Sequence, residues 1–326
     1  MKYYPLTDGK LIATSSRGVF EIVDEDWLPV EGDCLETMAM LSREMTFEEA
    51  LKYAKQENLV KEHKPANVIA DQLTMRNDEF ENEHMEGEEY FPRIPTIRYL
   101  LDGHSIYFES PVTFLVGENG TGKSTLLEAV AVGFGLNAEG GSRESEFETK
   151  RTHSDLYKLV ALSRIRPPED AFFLRAESFY NLASNIDDVT DKDLVGRERR
   201  GKYGGKSLHA QSHGESFMAL VKNRFQGNGL YLLDEPEAAL SPRRQLELMK
   251  EMKRLTDRGA QFIIATHSPI LMTFPEAGIY ECSVSGIEEK RYEEMDHFTF
   301  TRDYLADPDK YLKEIFEDNY EGGEKC

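Results

Sequence analysis

The pattern of apolar and polar positions changes near residue 90. Before that point, short β-prone runs in KLIATSSRGVFEIVDEDWLPV are interrupted by SSRG, which predicts a β-hairpin. The stretch TFEEALKYAKQENL places its apolar residues on one helical face, with Thr46 and Glu49 in capping-box spacing, and predicts a helix. From about residue 72 to residue 89 acids dominate, which indicates either a solvated linker or an acidic docking segment. We therefore predict a small α+β N-terminal domain with its linker over residues 1–89, followed by a second domain over 90–326.

The second domain has the pattern of an α/β fold. PVTFLVG, GLYLLDEP and QFIIATHSP are short runs of consecutive apolar residues, and each ends in glycine or polar residues. KSTLLEAVAVGFGL and RRQLELMKEMKRL carry apolar residues at helical spacing. Strands that are apolar on both faces are typical of a mostly parallel sheet covered by helices on each side. Ligands bind such sheets at the carboxyl ends of the strands, where the polar motifs of this chain fall.

The stretch GENGTGKST carries the strongest chemical signal. It fits G-x-x-x-x-G-K-[ST] between a predicted strand and a predicted helix, which is the context of a phosphate-binding loop. Glycines let backbone N–H groups surround phosphates, Lys123 can reach the outer phosphates, and the Ser124 hydroxyl can ligate Mg²⁺. The predicted nucleotide-binding residues are Gly117, Asn119, Gly120, Thr121, Gly122, Lys123, Ser124 and Thr125.

Two further motifs end strands. Asp234 and Glu235 close LYLLDEP, where Asp234 can hold the magnesium shell and Glu235 can orient or deprotonate a water. Two acids at a strand end also occur in ordinary polar loops, but the phosphate-binding loop favours the functional interpretation. His267 ends ATHSP and either contacts the terminal phosphate or has a structural role. The predicted catalytic residues are Glu235, His267 and Lys123.

Composition and charge restrict the functional classes. The chain is 40% hydrophobic and 30% charged, which is typical of a folded soluble protein. Its net charge is −21, and residues 1–90 contribute −12 of it with 21 acids against 9 Lys and Arg. Such a field repels phosphate backbones and disfavours extensive nucleic-acid binding. Three widely spaced cysteines argue against a disulfide framework, and no apolar stretch is long enough to span a membrane, so we expect a cytoplasmic protein.

The order GENGTGKST, SHGESF, LLDEPEAAL, ATHSP resembles that of ABC-class ATPases. The stretch from Phe91 to Phe316, about 70% of the chain, is similar to a family of small stand-alone bacterial predicted ATPases of this class. The resemblance implies a P-loop NTPase of ABC type that uses ATP and Mg²⁺. It has a mostly parallel central sheet, an antiparallel β portion and a helical lobe at about 150–225. An acidic tail follows at about 317–326.

The resemblance also assigns roles to SHGESF. In this class the corresponding segment caps the terminal phosphate bound by a second copy, which implies a homodimer in which Ser212, Gly214 and Glu215 act in trans. His213 stands where the class usually has a glycine. Ser212 and Glu215 also have capping-box spacing, which is compatible with this role.

Two positions depart from the usual pattern of the class. Glu177 in FFLRAESFYN takes the place of a glutamine, as a metal and water contact or as a structural acid. Ser241 takes the place of an aspartate. With Glu177 included, the predicted metal ligands are Ser124, Asp234 and Glu177.

The leading hypothesis is a soluble ATP hydrolase that closes as a homodimer and drives a change in a partner or in its own N-terminal domain. Only 88 residues separate Lys123 from Ser212, too few for the long coiled coil of DNA-repair members of the class. The alternatives are an ATP-gated nucleic-acid or defence module, a switch that binds ATP without hydrolysing it, and a transporter subunit. The basic stretch Arg197–Lys206 is a solvated loop or a contact site for phosphate, nucleic acid or a partner.

Overall fold

The computed structural model describes residues 68–76, 90–142, 156–177, 179 and 211–317, together with the backbone of four strands before residue 30. The chain divides into two compact units, Met1–Lys64 and Pro65–Cys326. In the first unit, β1 (Lys2–Pro5), β2 (Leu11–Ser15), β3 (Gly18–Val23) and β4 (Asp26–Pro29) form an antiparallel sheet in chain order. The pair β2–β3 confirms the predicted hairpin. The predicted helix at residues 46–59 lies outside the described residues.

The second unit is built on a six-stranded sheet with the order β13-β12-β7-β11-β10-β9. Its strands are β7 (Val112–Gly117), β9 (Asp170–Arg175), β10 (Gly229–Asp234), β11 (Gln261–Thr266), β12 (Gly278–Ser283) and β13 (Gly286–Glu289). All neighbours are parallel except β13, which pairs antiparallel with β12 at the edge. The mostly parallel sheet predicted from the apolar runs is therefore confirmed.

Alternate residues of the central strands pack into two separate cores. On β7, Leu115 joins one core while Phe114 and Val116 join the other. On β11, Ile263 and Ile264 divide in the same way. Both faces of the sheet are thus covered, and burying an apolar side chain is worth about 1.5–3 kcal/mol, which explains why most strand positions are apolar.

Helices cover the two faces. In the described part of the chain these are α1 (Pro95–Leu101), α2 (Lys123–Gly133), α3 (Leu156–Leu159), α4 (His213–Arg224) and α5 (Pro242–Thr256), and two more exposed helices follow, α6 (Asp296–Ala306) and α7 (Pro308–Glu317). The first core contains buried residues of α1, α2 and α3, and the second contains those of α4 and α5. No helix in the described part of the chain is long and apolar enough to cross a membrane.

A smaller antiparallel sheet joins β5 (Ala70–Met75), β6 (Ile106–Tyr107) and β8 (Val160–Arg164) in the order β6-β5-β8. The fully buried side chain of Gln261 on β11 links this sheet to the central one. Its Oε1 accepts hydrogen bonds from the backbone N–H groups of Ile69 and Ala70, both at 2.8 Å, and its Nε2 donates to the Ala70 carbonyl at 2.8 Å. One side chain thus forms the hydrogen bonds of three buried backbone groups.

Two predicted boundaries differ from the structure. The acidic linker predicted from residue 72 begins inside β5, because Leu73 and Met75 are buried against the first core and outweigh the acids that follow. Within the range predicted as a helical lobe, residues 160–164 form β8 and residues 170–175 form β9, where Val160 and the four apolar residues of β9 are buried. The rest of the linker (77–89), the basic stretch 197–206 and the tail 318–326 lie outside the described residues.

Candidate functional site

The polar ends of three adjacent strands meet at one edge of the central sheet. β11 lies between β7 and β10 and is parallel to both. Its register pairs Ala265 with Asp234 and Thr266 with Val116. The loop after Gly117, the acids 234–235 and His267 therefore leave the sheet side by side, as the order of the motifs predicted.

The loop 117–122 depends on its glycines. Gly117, Gly120 and Gly122 have φ values of +146°, +79° and +101°, which L side chains rarely adopt. A Cβ on Gly117 would lie 2.0 Å from the Cys282 carbonyl oxygen, and one on Gly122 would lie 2.2 Å from the Thr96 hydroxyl. A Cβ on Gly120 would meet nothing within 4 Å. The outer glycines therefore fix the loop against the protein, whereas Gly120 faces open space.

The remaining loop residues hold its backbone or face solvent. The buried Thr121 donates from its hydroxyl to the Glu118 carbonyl at 2.9 Å, and its own carbonyl accepts from the Thr96 hydroxyl at 2.9 Å. Asn119 is exposed, and Thr125 is half-buried in the first turn of α2. Asn119 is therefore accessible from solvent, and Thr125 lies two residues after the start of α2.

Lys123 begins α2 and turns back over the loop. Its Nζ donates to the carbonyls of Gly117 at 2.7 Å and Glu118 at 2.9 Å, and the residue is only 4% exposed. Burial lowers the pKa of the Lys123 ammonium, while the nearby Glu235 and Asp234 carboxylates act in the opposite direction. The ammonium is therefore held in the concavity of the loop, close to both acids.

Asp234 connects the loop with the strand ends. Its Oδ1 accepts from the Ser124 hydroxyl at 2.9 Å, and its Oδ2 lies 3.4 Å from Arg175 Nε. Arg175 also pairs with Glu128 at 3.0 Å. Burial raises the pKa of the Asp234 carboxyl to about 6, although Arg175 and Ser124 lower it. The exposed Glu177, which follows β9, is close enough for its charge to raise the same pKa.

Glu235 is held in an uncommon backbone conformation. Its φ of 52° and ψ of 51° are left-handed, a region that non-glycine residues rarely occupy. Its N–H donates to the Ala265 carbonyl at 2.9 Å, and Pro236 follows at once. The side chain is half-exposed, with Oε1 3.7 Å from His267 Nε2. Strained backbone conformations of this kind cluster at functional positions.

Glu237 was missed by the sequence reasoning. Its carboxylate accepts from the Thr266 hydroxyl at 2.7 Å and from the His267 backbone N–H at 2.6 Å, so it anchors the loop that carries the histidine. Burial raises the pKa of the Glu237 carboxyl. Its place as the third acid of DEPE could have marked it as a candidate, but the groups it binds lie about thirty residues further along the chain.

His267 presents an unused nitrogen beside Glu235. Nε2 is buried without a hydrogen-bond partner in the described part of the chain, whereas Nδ1 lies 3.3 Å from His297 Nε2. Burial and the nearby Lys123 lower the pKa of the His267 imidazole, and Glu235 raises it. A buried polar atom without a partner carries a cost, which a ligand at this position can remove.

These residues fit a nucleotide with Mg²⁺. The open side of Gly120, the N-terminus of α2 and the Lys123 ammonium suit phosphate oxygens. The Ser124 hydroxyl and the Asp234 carboxylate are already within hydrogen-bond distance of each other, and both are oxygen ligands of the kind that Mg²⁺ prefers.

The SHGESF segment forms the start of α4, with Ser212, His213 and Glu215 exposed and Ser216 and Phe217 buried. The Ser212 N–H donates to Glu215 Oε2 at 3.1 Å, and Glu215 Oε1 lies 3.4 Å from Arg244 Nη2. A Cβ on Gly214 would lie 2.9 Å from the Ala239 carbonyl oxygen. Among the described residues, these contacts run to the segment after the acid pair and to α5 rather than to loop 117–122. The exposed Ser241 immediately precedes α5.

Comparisons with known proteins found similar domains and relatives. Residues 93–195 match the family model "AAA domain", and residues 208–273 match "AAA domain, putative AbiEii toxin, Type IV TA system". The chain is 26% identical over 165 residues to the energy-coupling factor transporter ATP-binding protein EcfA1 of Fusobacterium nucleatum, a match covering 47% of this chain and 62% of that protein. These matches support an ABC-class P-loop ATPase.

The chain is also similar to other proteins of this kind. It is 26% identical over 172 residues to the galactose/methyl galactoside import ATP-binding protein MglA of Mannheimia succiniciproducens, covering 47% of this chain and 32% of that protein. The SMC head domain from Thermotoga maritima matches 68% of this chain and 98% of its own length at 18% identity, with a TM-score of 0.35. A nucleotide-free ATP-binding cassette from an ABC transporter matches 63% and 88% at 17% identity, with a TM-score of 0.37.

Proposed function

We propose that this chain binds ATP with Mg²⁺ and hydrolyses it as a head-to-tail homodimer. The observation that carries the proposal is the 2.9 Å hydrogen bond from Ser124 to Asp234, which brings the phosphate-binding loop to the acids. Glu235 lies next to this pair and 3.7 Å from His267. A phosphate anchor, two metal ligands and a carboxylate for the attacking water are the parts that phosphoryl transfer needs.

The residues would divide the work as follows. Loop 117–122 and Lys123 bind the phosphates, with Asn119, Thr121 and Thr125 beside them. Ser124, Asp234 and Glu177 would hold Mg²⁺, which neutralises charge on the phosphate oxygens. Glu235 orients a water molecule and accepts its proton, while His267 donates from Nε2 to the terminal phosphate.

Steady-state and single-turnover hydrolysis of wild type and Glu235→Gln test this assignment. We expect the variant to bind ATP with the affinity of wild type and to lose at least about 100-fold in rate, because it loses the proton acceptor. Asp257→Asn, at an exposed carboxylate paired with Lys253, is the matched control. If wild type binds ATP but turns it over no faster than Glu235→Gln, the chain is an ATP-dependent binding switch.

The proposal includes a second copy because Ser212 is exposed and the described contacts of its segment run to α5 and to the segment after the acid pair, and not to loop 117–122 of the same chain. In the proposed dimer, Ser212, Gly214 and Glu215 of one copy face the terminal phosphate on the other. Mixing Ser212→Phe with Lys123→Ala tests this arrangement, since each heterodimer regains one intact site. We expect the mixture to recover about a quarter of wild-type activity. An inactive mixture, with heterodimers verified by mass, would contradict the trans arrangement.

Hydrolysis would act on a partner or on the N-terminal unit, which we propose as an accessory domain of a cytoplasmic protein. The toxin–antitoxin description of the model at residues 208–273 keeps a defence or nucleic-acid role as the second candidate. The net charge of −21 opposes it. ATP-dependent, steeply salt-sensitive binding to DNA or RNA would favour this role, whereas a protein retained by Glu235→Gln in ATP would favour partner coupling.

A further inference from the structure

A second histidine lies directly behind His267. His297 stands in the first turn of α6, and its Nε2 is 3.3 Å from His267 Nδ1. The ring centroids are 5.4 Å apart, and the rings are inclined by 50°. One of the two nitrogens must donate to the other, so the pair fixes which nitrogen of His267 carries its proton.

The position of His297 is set by the core. Met295, just before α6, is completely buried in the second core. Phe298 packs edge-on against Tyr292 with ring centroids 5.0 Å apart. The Thr301 hydroxyl donates to the His297 carbonyl at 2.7 Å. The start of the helix is therefore anchored on both sides of the histidine, which fixes the backbone position from which its imidazole meets His267.

The surroundings of His267 decide the direction of the hydrogen bond. Its Nε2 is 3.7 Å from Glu235 Oε1. If Nδ1 carried the proton, the Nε2 lone pair would face this carboxylate and be repelled by it. If His297 Nε2–H donates to Nδ1, His267 carries its proton on Nε2 and presents a donor to both the carboxylate and the site. The second arrangement has the lower electrostatic energy.

We propose that His297 is a positioning residue of the ATP site, which holds His267 in the Nε2–H form with that N–H directed at the terminal phosphate. The inference rests on the proposed function for the role of His267. The hydrogen-bond direction is a property of the chain itself and can be measured without nucleotide. His297 acts only through His267.

The imidazole tautomer is the first test. Two-dimensional ¹H–¹⁵N spectra of histidine-labelled wild type at pH 8 report which ring nitrogen carries the proton, and His267→Gln and His297→Gln assign the two signals. We expect Nε2–H for His267. A Nδ1–H signal overturns the proposal whether or not the protein hydrolyses ATP. Absence of hydrolysis with the expected tautomer would instead count against the proposed function.

A double-mutant cycle is the second test. His297→Phe keeps a ring but removes the donor, and we expect kcat to fall about tenfold with the KM for ATP within about twofold. His297→Gln, which keeps an N–H, should retain most of the activity. The exposed Phe300→Ala on the same helix is the control. If His297→Phe lowers kcat equally in wild type and in His267→Ala, His297 acts through the fold and the proposal is wrong. No further loss in His267→Ala supports it.

Discussion

Replacement of Asp234 by Asn should stabilise the nucleotide-free protein while it abolishes the function. The residue is only 6% exposed and stands beside the acids Glu235 and Glu177. Burial raises the pKa of its carboxyl from 3.8 to about 6, in spite of the opposing effects of Arg175 and Ser124. At pH 8 the folded protein therefore contains an ionised group that the unfolded chain accommodates more easily.

The sign and size of the effect follow from this raised pKa. A carboxyl with a raised pKa in the folded state contributes stability below its unfolded pKa, and this contribution is lost as the pH rises through the folded value of about 6. A difference of about two pKa units corresponds to roughly 3 kcal/mol. A neutral Asn avoids this cost at high pH but loses the attraction of Arg175, so we expect Asp234→Asn to gain about 2–3 kcal/mol at pH 8.

Urea unfolding and Tm at pH 4.5, 6 and 8 provide the measurement. The advantage of Asp234→Asn should be small at pH 4.5 and reach about 5–10 °C in Tm at pH 8. Asp257→Asn changes an exposed acid and should stay within about 0.5 kcal/mol of wild type at every pH. With Mg²⁺ and ATP, the Tm of wild type should rise more than that of Asp234→Asn.

Two results would refute this reasoning. One is an Asp234→Asn protein that is no more stable than wild type at pH 8. The other is a stability difference that does not change with pH. Either result would mean that the hydrogen bond from Ser124 and the ion pair with Arg175 outweigh the burial of the charge.

Three further outcomes are expected. Gly120→Ala should lose ATP binding while its Tm stays within about 5 °C of wild type, because the added Cβ meets no protein atom within 4 Å. Gly122→Ala should have a clearly lower Tm, because its Cβ would lie 2.2 Å from the Thr96 hydroxyl. Gln261→Met should lower the free energy of unfolding by about 3–5 kcal/mol in urea titrations, since it leaves three buried backbone groups of residues 69–70 unpaired. The Cys282 thiol, whose pKa burial raises to about 12, should resist alkylation in the folded protein as measured by mass spectrometry.

The site could be predicted from the sequence where its geometry is local. The loop 117–122 needs glycines at fixed spacing, and short apolar runs predict β7, β10 and β11, so the polar residues after each strand had to meet at one edge. The accuracy was lower at residues 72–75, because the acids that follow concealed a strand whose partner β8 lies about ninety residues later. Burial of alternate residues decided the fold there, and composition did not.

Contacts between distant residues could not be predicted in this way. Gln261 and Ala70 are 191 positions apart, and His267 and His297 are 30 apart. Neither pair leaves a pattern in the residues around it. The role of a buried glutamine or of a second histidine can be assigned only when the topology shows which backbone group or ring it faces. The roles of Arg175 and Glu237 have the same origin, since their partners lie on other strands and loops.

The energetically unfavourable features of the described structure lie together where the strand ends meet. Glu235 holds a left-handed backbone, Asp234 keeps a charge that burial disfavours, and His267 buries a nitrogen without a partner in the described part of the chain. Stability alone rewards none of these features, because glycine, asparagine and an apolar residue would each cost less at the respective position. Their common position at the ends of these strands is explained if a bound phosphate and metal compensate for the unfavourable energy of the three features. For this reason Asp234→Asn separates stability from function more directly than any change in the core.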